Sequence, residues 1–266
     1  MSSDAWQDVN LANRFVDGAY ASVKGIVRTQ VMHEQLLEHL PAPGATVLDV
    51  GGGAGNQSFP LAVAGYNVTL LDPSQAMLDK ARERLEQLPD VVRERVTLVE
   101  ADGLQAAAAL DERRFDAVLC HGVLGYFDDP APLVAQLCAC VQPGGLVSIM
   151  TGNAKASAVQ PALERRWEDA LASFDASSGI GVLGIQGRAD TVEGLSDLLR
   201  HDGVEPIDWY GVWLFVDWLE FSGVALDASD TGQVAAIVAV ELEAARRDPY
   251  RQLSRVFHLL GRKSSS

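Results

Sequence analysis

Cations are scarce in this chain of 266 residues: 21 lysines and arginines stand against 36 aspartates and glutamates, a formal net charge of −15. That balance argues against a wide nonspecific phosphate-binding surface, which rests on many Lys and Arg contacts, and leaves room only for a local basic site. Cysteine is also rare. Cys120, Cys138 and Cys140 are odd in number, lack CxxC spacing and fall in or beside apolar segments, so they read as reduced, core-packed thiols, and no metal site is expected. No apolar run reaches the roughly 18 residues of a membrane span. The N-terminus MSSDAWQDVN has no basic region followed by an apolar one, so no signal peptide is expected, and the expected compartment is the cytoplasm. Oligomeric state leaves no trace in the sequence.

What is present is a globular balance, 48% apolar residues and 7% aromatic. This length suits one α/β core with an appended substrate region. The organising stretch runs from Val47 to Leu85. An apolar run, Val47 to Val50, meets Gly51, Gly53 and Gly55, then a helix, then a second apolar strand, Asn67 to Leu71, closed by Asp72. Strand, glycine turn, helix and acid-terminated strand are the first half of a doubly wound α/β nucleotide-binding sheet with helices on both faces. Asp72 follows Gly51 by 21 residues, a spacing that suits an acid accepting hydrogen bonds from a ribose diol. A dinucleotide fingerprint would carry a third glycine where Asn56 stands, so a ligand without a pyrophosphate fits this loop better.

The alternation continues. Ser74 is placed to cap the next helix. A third strand, Val96 to Glu100, ends at Asp102 and Gly103, where an adenine could be held at the carboxyl edge of the sheet. A short helix spans Ala106 to Leu110, a fourth strand runs from Phe115 to Cys120 and stops at His121, and a helix covers Leu133 to Val141. Pro143, Gly144 and Gly145 turn the chain into a fifth strand, Leu146 to Met150. Residues 46–150 are thus expected to form the cofactor-binding core and residues 1–45 a helical preface, with apolar positions at Phe15, Ile26, Val27, Val31, Leu36, Leu37 and Leu40. Residues 151–203 are expected to form a substrate region, with a helix from Pro161 to Phe174, a glycine-rich lid over 175–190 and a helix from Thr191 to Leu199 stopped by Gly203. Residues 204–266 are expected to close the sheet with strands Pro206 to Tyr210 and Val256 to Leu260 around a helical insertion, Asp217 to Arg247.

VLDVGGGAG, LLDPSQAML, the Ala101-Asp102 pair, FDAVLCHGVL and PGG, in this order, resemble the class I S-adenosylmethionine-dependent methyltransferases. A narrower resemblance is to the bacterial tRNA 5-carboxymethoxyuridine methyltransferases. It is carried by Tyr20, Lys24, Gly25 and Arg28 near one end, CHGVL at 120–124, and DPYRQLSRVFHLLGRK at 248–263. The resemblance implies S-adenosylmethionine as cofactor. Arg28 would pair with the methionyl carboxylate, Gly51, Gly52 and Gly53 would approach the cofactor, Asp72 would hold its ribose, Asp102 and Gly103 would flank the adenine, and His121 would sit near the sulfonium. The partner would be a tRNA anticodon loop or a small-molecule acceptor. Residues 175–195 carry Arg188 as their one cation, and Trp213 and Val216 stand where that narrower family has arginine and histidine; Arg246, Arg247, Arg251 and Arg255 remain as a candidate basic patch.

Methyl transfer from a sulfonium requires alignment and desolvation first. A carboxylate acceptor, with a pKa of about 4, needs no general base. A hydroxyl or amine acceptor would need one, and His121 is then the candidate. Three readings follow: a methyltransferase for a tRNA wobble-uridine carboxylate, a methyltransferase for a small acid or other metabolite, and a nonenzymatic cofactor-binding protein on the same fold.

Overall fold

In a computed structural model describing residues 18–174, 178–180 and 186–265, the N-terminal helix α1 spans Val23–Leu37. Ser22 starts it by accepting a hydrogen bond from the Gly25 N–H at 3.1 Å. Phe15 lies outside the described residues. The core then alternates: β1 Thr46–Val50, α2 Ser58–Val63, β2 Asn67–Asp72, α3 Gln75–Leu85, α4 Asp90–Arg93, β3 Val96–Glu100, α5 Ala106–Ala109, β4 Phe115–His121, α6 Ala131–Cys140 and β5 Val141–Gly152. Ser74 caps α3 through the Met77 N–H. After β5 come α7 Val159–Leu163, α8 Trp167–Ser173, the short pair β6 Ser178–Ile180 and β7 Gln186–Arg188, α9 Val192–His201, β8 Val204–Val212, α10 Phe215–Phe221, α11 Thr231–Ala244 and β9 Val256–Lys263.

Seven strands form one sheet in the order β3-β2-β1-β4-β5-β9-β8. β1 through β5 are parallel and β9 runs antiparallel to both neighbours. Alternate residues of β1 face opposite sides, so Leu48 and Val50 join Phe115, Val118, Leu133, Val147 and Phe257 under α6 and α9, while Val47 joins Leu36, Leu61, Leu119, Tyr210 and Leu260 under α1 and α2. The three thiols are buried and unbridged. Among the described residues no helix is long and apolar enough to cross a membrane.

Four expected elements change shape. The helix expected over Pro161 to Phe174 divides because Arg165 adopts a φ of 60°. The insertion expected as one helix from Asp217 to Arg247 divides at Gly223, whose φ of 72° ends α10, and restarts where Asp230 accepts from the Gln233 N–H at 2.9 Å. The PGG segment lies inside β5, which already pairs Val141 with Phe115 before a register shift and resumes from Leu146 with Ala117. Within the lid region, β6 and β7 form an antiparallel pair, while residues 181–185 lie outside the described residues.

The C-terminal insertion fastens α1. Lys24, on α1, forms ion pairs with Asp217 and Glu220 of α10, the latter at 2.6 Å. Its backbone carbonyl accepts from the Trp213 indole at 2.9 Å, and its ammonium lies 4.9 Å from that ring. Trp213 and Val216 are therefore core residues of this joint. Because the Lys24 and Asp217 side chains are 7% and 4% exposed while Glu220 is 52% exposed, the two pairs differ in weight. Lys24→Ala strips the buried carboxylate of its nearest cation and is expected to cost about 3 kcal/mol in urea denaturation. Glu220→Ala is expected to cost below about 1 kcal/mol; equal losses would contradict this division.

Candidate active site

Strand order reverses between β1, whose chain leads to β2 on one side, and β4 on the other, and at such a point loops leave opposite ways and open a crevice at the carboxyl ends. A cavity of about 230 Å³ lies there. The loop after β1 supplies Gly51, Gly52, Gly53 and Ala54, the end of β2 supplies Asp72 and Pro73, the end of β3 Asp102 and Gly103, and the end of β4 His121, Gly122 and Val123. Val50, Asn56, Tyr20, Met77, Tyr126, Phe127 and Leu133 complete its walls.

The glycine loop is shaped by its own packing. Gly51 has a φ of 70°, and a Cβ there would strike the Val123 side chain. Gly53, at 56°, turns its N–H onto the Asp72 carboxylate at 2.9 Å, while the other Asp72 oxygen accepts from the Ser74 N–H at 2.8 Å. Each oxygen retains a lone pair for a further donor. Burial, opposed by these two bonds, raises the Asp72 pKa to about 6. Asp102 spends one oxygen on the Leu104 N–H at 2.9 Å. Arg84 is engaged by the Ala54 carbonyl and by Asn56, the residue standing in place of the fingerprint glycine.

Arg28 is 5% exposed and stacks 5.2 Å from the Tyr20 ring. Its Nη2 reaches within 3.9 Å of where a Gly122 Cβ would be. Among the described residues no carboxylate lies within ion-pairing distance of it, in contrast to Lys24. His121 donates to or accepts from Ser148 Oγ through Nε2 at 2.8 Å and has no partner at Nδ1. Burial, then His258 and Arg28, hold its pKa well below the ordinary histidine value. Proton uptake by His121 is thus disfavoured, and the base expected there for a hydroxyl or amine acceptor is a poor one.

The structure gathers Gly51, Gly52, Gly53, Asp72, Asp102, Gly103 and His121 around one cavity and sets Arg28 at its margin. Each arginine of the candidate basic patch has a carboxylate partner: Arg246 pairs with Glu38, Arg247 with Glu243, Arg251 with Asp248 and Arg255 with Asp217. Two of these carboxylates, Glu243 and Asp248, lie in the same segments, ELEAARRD and DPYR, so the sequence itself supplies part of the neutralising charge. Arg188 likewise pairs with Asp190, and it donates to the Phe127 carbonyl at 3.0 Å, tying β7 to the cavity wall. Sequence reasoning passed over Asp49, a lone acid inside an apolar strand. It is 2% exposed, accepts from Ser58 Oγ at 2.6 Å, and has a pKa raised to about 6 by burial.

Residues 48–147 match the family model of a methyltransferase domain. Over 260 residues, 97% of this chain and 96% of the relative, the sequence is 26% identical to the tRNA 5-carboxymethoxyuridine methyltransferase of Escherichia coli O157:H7. The chain carries a methyltransferase domain. A ubiquinone biosynthesis O-methyltransferase of Methylocella silvestris is 38% identical over 113 residues, 42% of each chain. Among solved structures, the magnesium protoporphyrin IX methyltransferase of Synechocystis PCC 6803 shares the fold, with a TM-score of 0.58 at 15% identity, covering 91% of this chain and 85% of that chain.

A ribose bound at Asp72 would be held by the ionised carboxylate, the form that loses ground as pH falls through about 6. Affinity for S-adenosylmethionine in calorimetry is therefore expected to drop about tenfold between about pH 7.5 and about pH 5. In Asp72→Asn it is expected to be weaker throughout and flatter with pH. Because Asp49 titrates in the same range, an unchanged slope in Asp72→Asn would assign the dependence elsewhere.

Proposed function

We propose that this enzyme methylates a carboxylate oxygen, forming a methyl ester. Arg28 grips the methionyl carboxylate of the cofactor, Asp72 holds its ribose, and Asp102 and Gly103 flank the adenine. Gly51, Gly52 and Gly53 lie along it, and His121 lies near its reactive end. The buried guanidinium without an anionic partner among the described residues fits an amino-acid carboxylate, and the apolar walls Met77, Val123 and Leu133 fit a nucleoside. When bound, S-adenosylmethionine supplies an electrophilic methyl group. The chain's own part is to align the acceptor and exclude water, because an acceptor that arrives ionised needs no base and His121 stays neutral.

Likeness over nearly the full chain to a tRNA 5-carboxymethoxyuridine methyltransferase supports the wobble-uridine carboxylate in the cytoplasm as acceptor. A small organic acid is the second reading, favoured by the net charge of −15 and by the carboxylate-paired arginines of the substrate half. Labelled methyl groups transferred to tRNA bearing 5-carboxymethoxyuridine are expected to be released as volatile methanol by mild alkali, the mark of an ester. No incorporation into such tRNA would refute the tRNA reading, and alkali-stable label would refute ester formation. Arg28→Ala is expected to weaken S-adenosylmethionine by tenfold or more, about 1.4 kcal/mol, while leaving adenosine binding unchanged, since adenosine lacks the amino-acid end. Equal loss for both ligands would place Arg28 away from that end.

A further inference from the structure

A row of polar side chains crosses the otherwise apolar sheet from the cavity to α1. His121 Nε2 meets Ser148 Oγ at 2.8 Å, Ser148 Oγ meets His258 Nε2 at 2.7 Å, and His258 Nδ1 meets Gln35 Oε1 at 2.8 Å. All four lie in the core: Ser148, His258 and Gln35 are 0% exposed and His121 is 9%. They sit on β4, β5, β9 and α1, so four elements converge on a feature that hydrophobic packing does not require. Four buried polar groups would be costly without mutual hydrogen bonds. The two ends are the atoms left over, Nδ1 of His121 and Nε2 of Gln35.

With the Gln35 amide oxygen turned toward His258, as the structure has it, the donors follow. An amide oxygen only accepts, so His258 must donate from Nδ1 to Gln35 Oε1. A neutral His258 then has a bare Nε2, which accepts the Ser148 hydroxyl proton. The Ser148 oxygen in turn accepts from His121, whose Nε2 must carry its proton. That leaves His121 Nδ1 with a free lone pair. Charging either ring would break this polarity, and the buried setting opposes it: burial, His39 and Arg28 lower the His258 pKa to about 3.

We propose that Gln35, His258 and Ser148 are positioning residues that hold His121 as the neutral Nε2–H tautomer, so that its Nδ1 accepts a hydrogen bond from the ammonium group of the bound methyl donor. The assignment of that ammonium rests on the cofactor reading above; the tautomer does not. An amino acid carries a carboxylate and an ammonium on one carbon. Arg28 Nη2 lies 3.9 Å from a Cβ position on Gly122, the residue next to His121, and the Arg28 charge acts on the His121 ring, so a guanidinium for the carboxylate and a neutral acceptor for the ammonium share one corner of the cavity. An imidazolium there would repel both Arg28 and the ammonium. A neutral ring of the opposite tautomer would turn an N–H toward it. The chain of four excludes both arrangements, and since Gln35 shares α1 with Arg28, one helix sets the guanidinium and the ring state together.

Long-range proton–nitrogen correlation spectra of the full-length protein labelled with 15N-histidine read the tautomer directly. His121, assigned by its absence in His121→Asn, is expected to show a pyrrole-like Nε2 and a pyridine-like Nδ1 at neutral pH, with no cofactor present. Ser148→Ala breaks the chain and is expected to give a mixture of tautomers and to weaken S-adenosylhomocysteine about twofold or more, since only part of the population presents the acceptor. Ser148→Thr keeps the hydroxyl and is expected to restore the single tautomer. A protonated Nδ1 in the wild-type protein, or a single Nε2–H tautomer persisting in Ser148→Ala, would overturn the proposal. The wild-type spectrum decides the matter even where Ser148→Ala does not fold. Failure of S-adenosylhomocysteine to bind the wild-type protein, with the tautomer as stated, would support the relay as a tautomer lock and overturn the cofactor reading alone.

Discussion

Among the described residues no carboxylate pairs with the buried Arg28 guanidinium, an arrangement that costs on the order of several kcal/mol, and the described part of the molecule is arranged to hold it there. Helix α1 cannot swing outward to hydrate it, because Val27, Val31, Met32 and Leu36 are buried on the sheet and its insertion-facing side is pinned by Lys24 to Asp217. Asp217 is in turn fixed by Arg255 at 3.4 Å, and the start of α10 is held by Glu241, which accepts from the Leu214 and Val216 N–H groups at 3.0 and 2.7 Å. The C-terminal insertion thus supports the cofactor edge from behind. A buried cation with no carboxylate at ion-pairing distance among the described residues is a site prepared for an anion that arrives from outside.

Neutrality is the complementary requirement at His121. With Arg28 close by, a second positive charge in the same low-dielectric corner would oppose both itself and the binding of an ammonium. Burial and the Ser148–His258–Gln35 chain keep the ring uncharged, which also removes the nearest candidate for a general base. Acceptor chemistry is narrowed by the same fact. A site with alignment, apolar walls and no proton acceptor of ordinary basicity at His121 suits an oxygen nucleophile that is already ionised.

How far the sequence foretold this differs from residue to residue. The βα alternation over 46–150 was legible because each strand is an apolar run closed by a glycine or an acid, and Ser74 and Gly203 are local stop and start signals that tertiary contacts did not override. Within the insertion, Gly223 and Asp230 are equally local signals, and the apolar residues on either side masked them. Arg165 at positive φ has no such signal, since arginine does not announce a left-handed turn. The arginines near the C-terminus look like a patch in one dimension, yet Arg246 is matched by Glu38, more than two hundred positions away. Ser148 and His258 were hidden for the same reason. Each is a single polar residue on the buried face of an apolar strand, and only the register, which places His121 beside Met150 and Met150 beside His258, brings the row together.

The most direct test is a crystal structure of the full chain with S-adenosylhomocysteine. The amino-acid carboxylate is expected on Arg28, the ribose hydroxyls on Asp72, and the adenine between Asp102 and the apolar wall formed with Leu133. A ligand carboxylate lying away from Arg28, or a ribose that leaves Asp72 bonded only to Gly53 and Ser74, would contradict the assignment of this crevice.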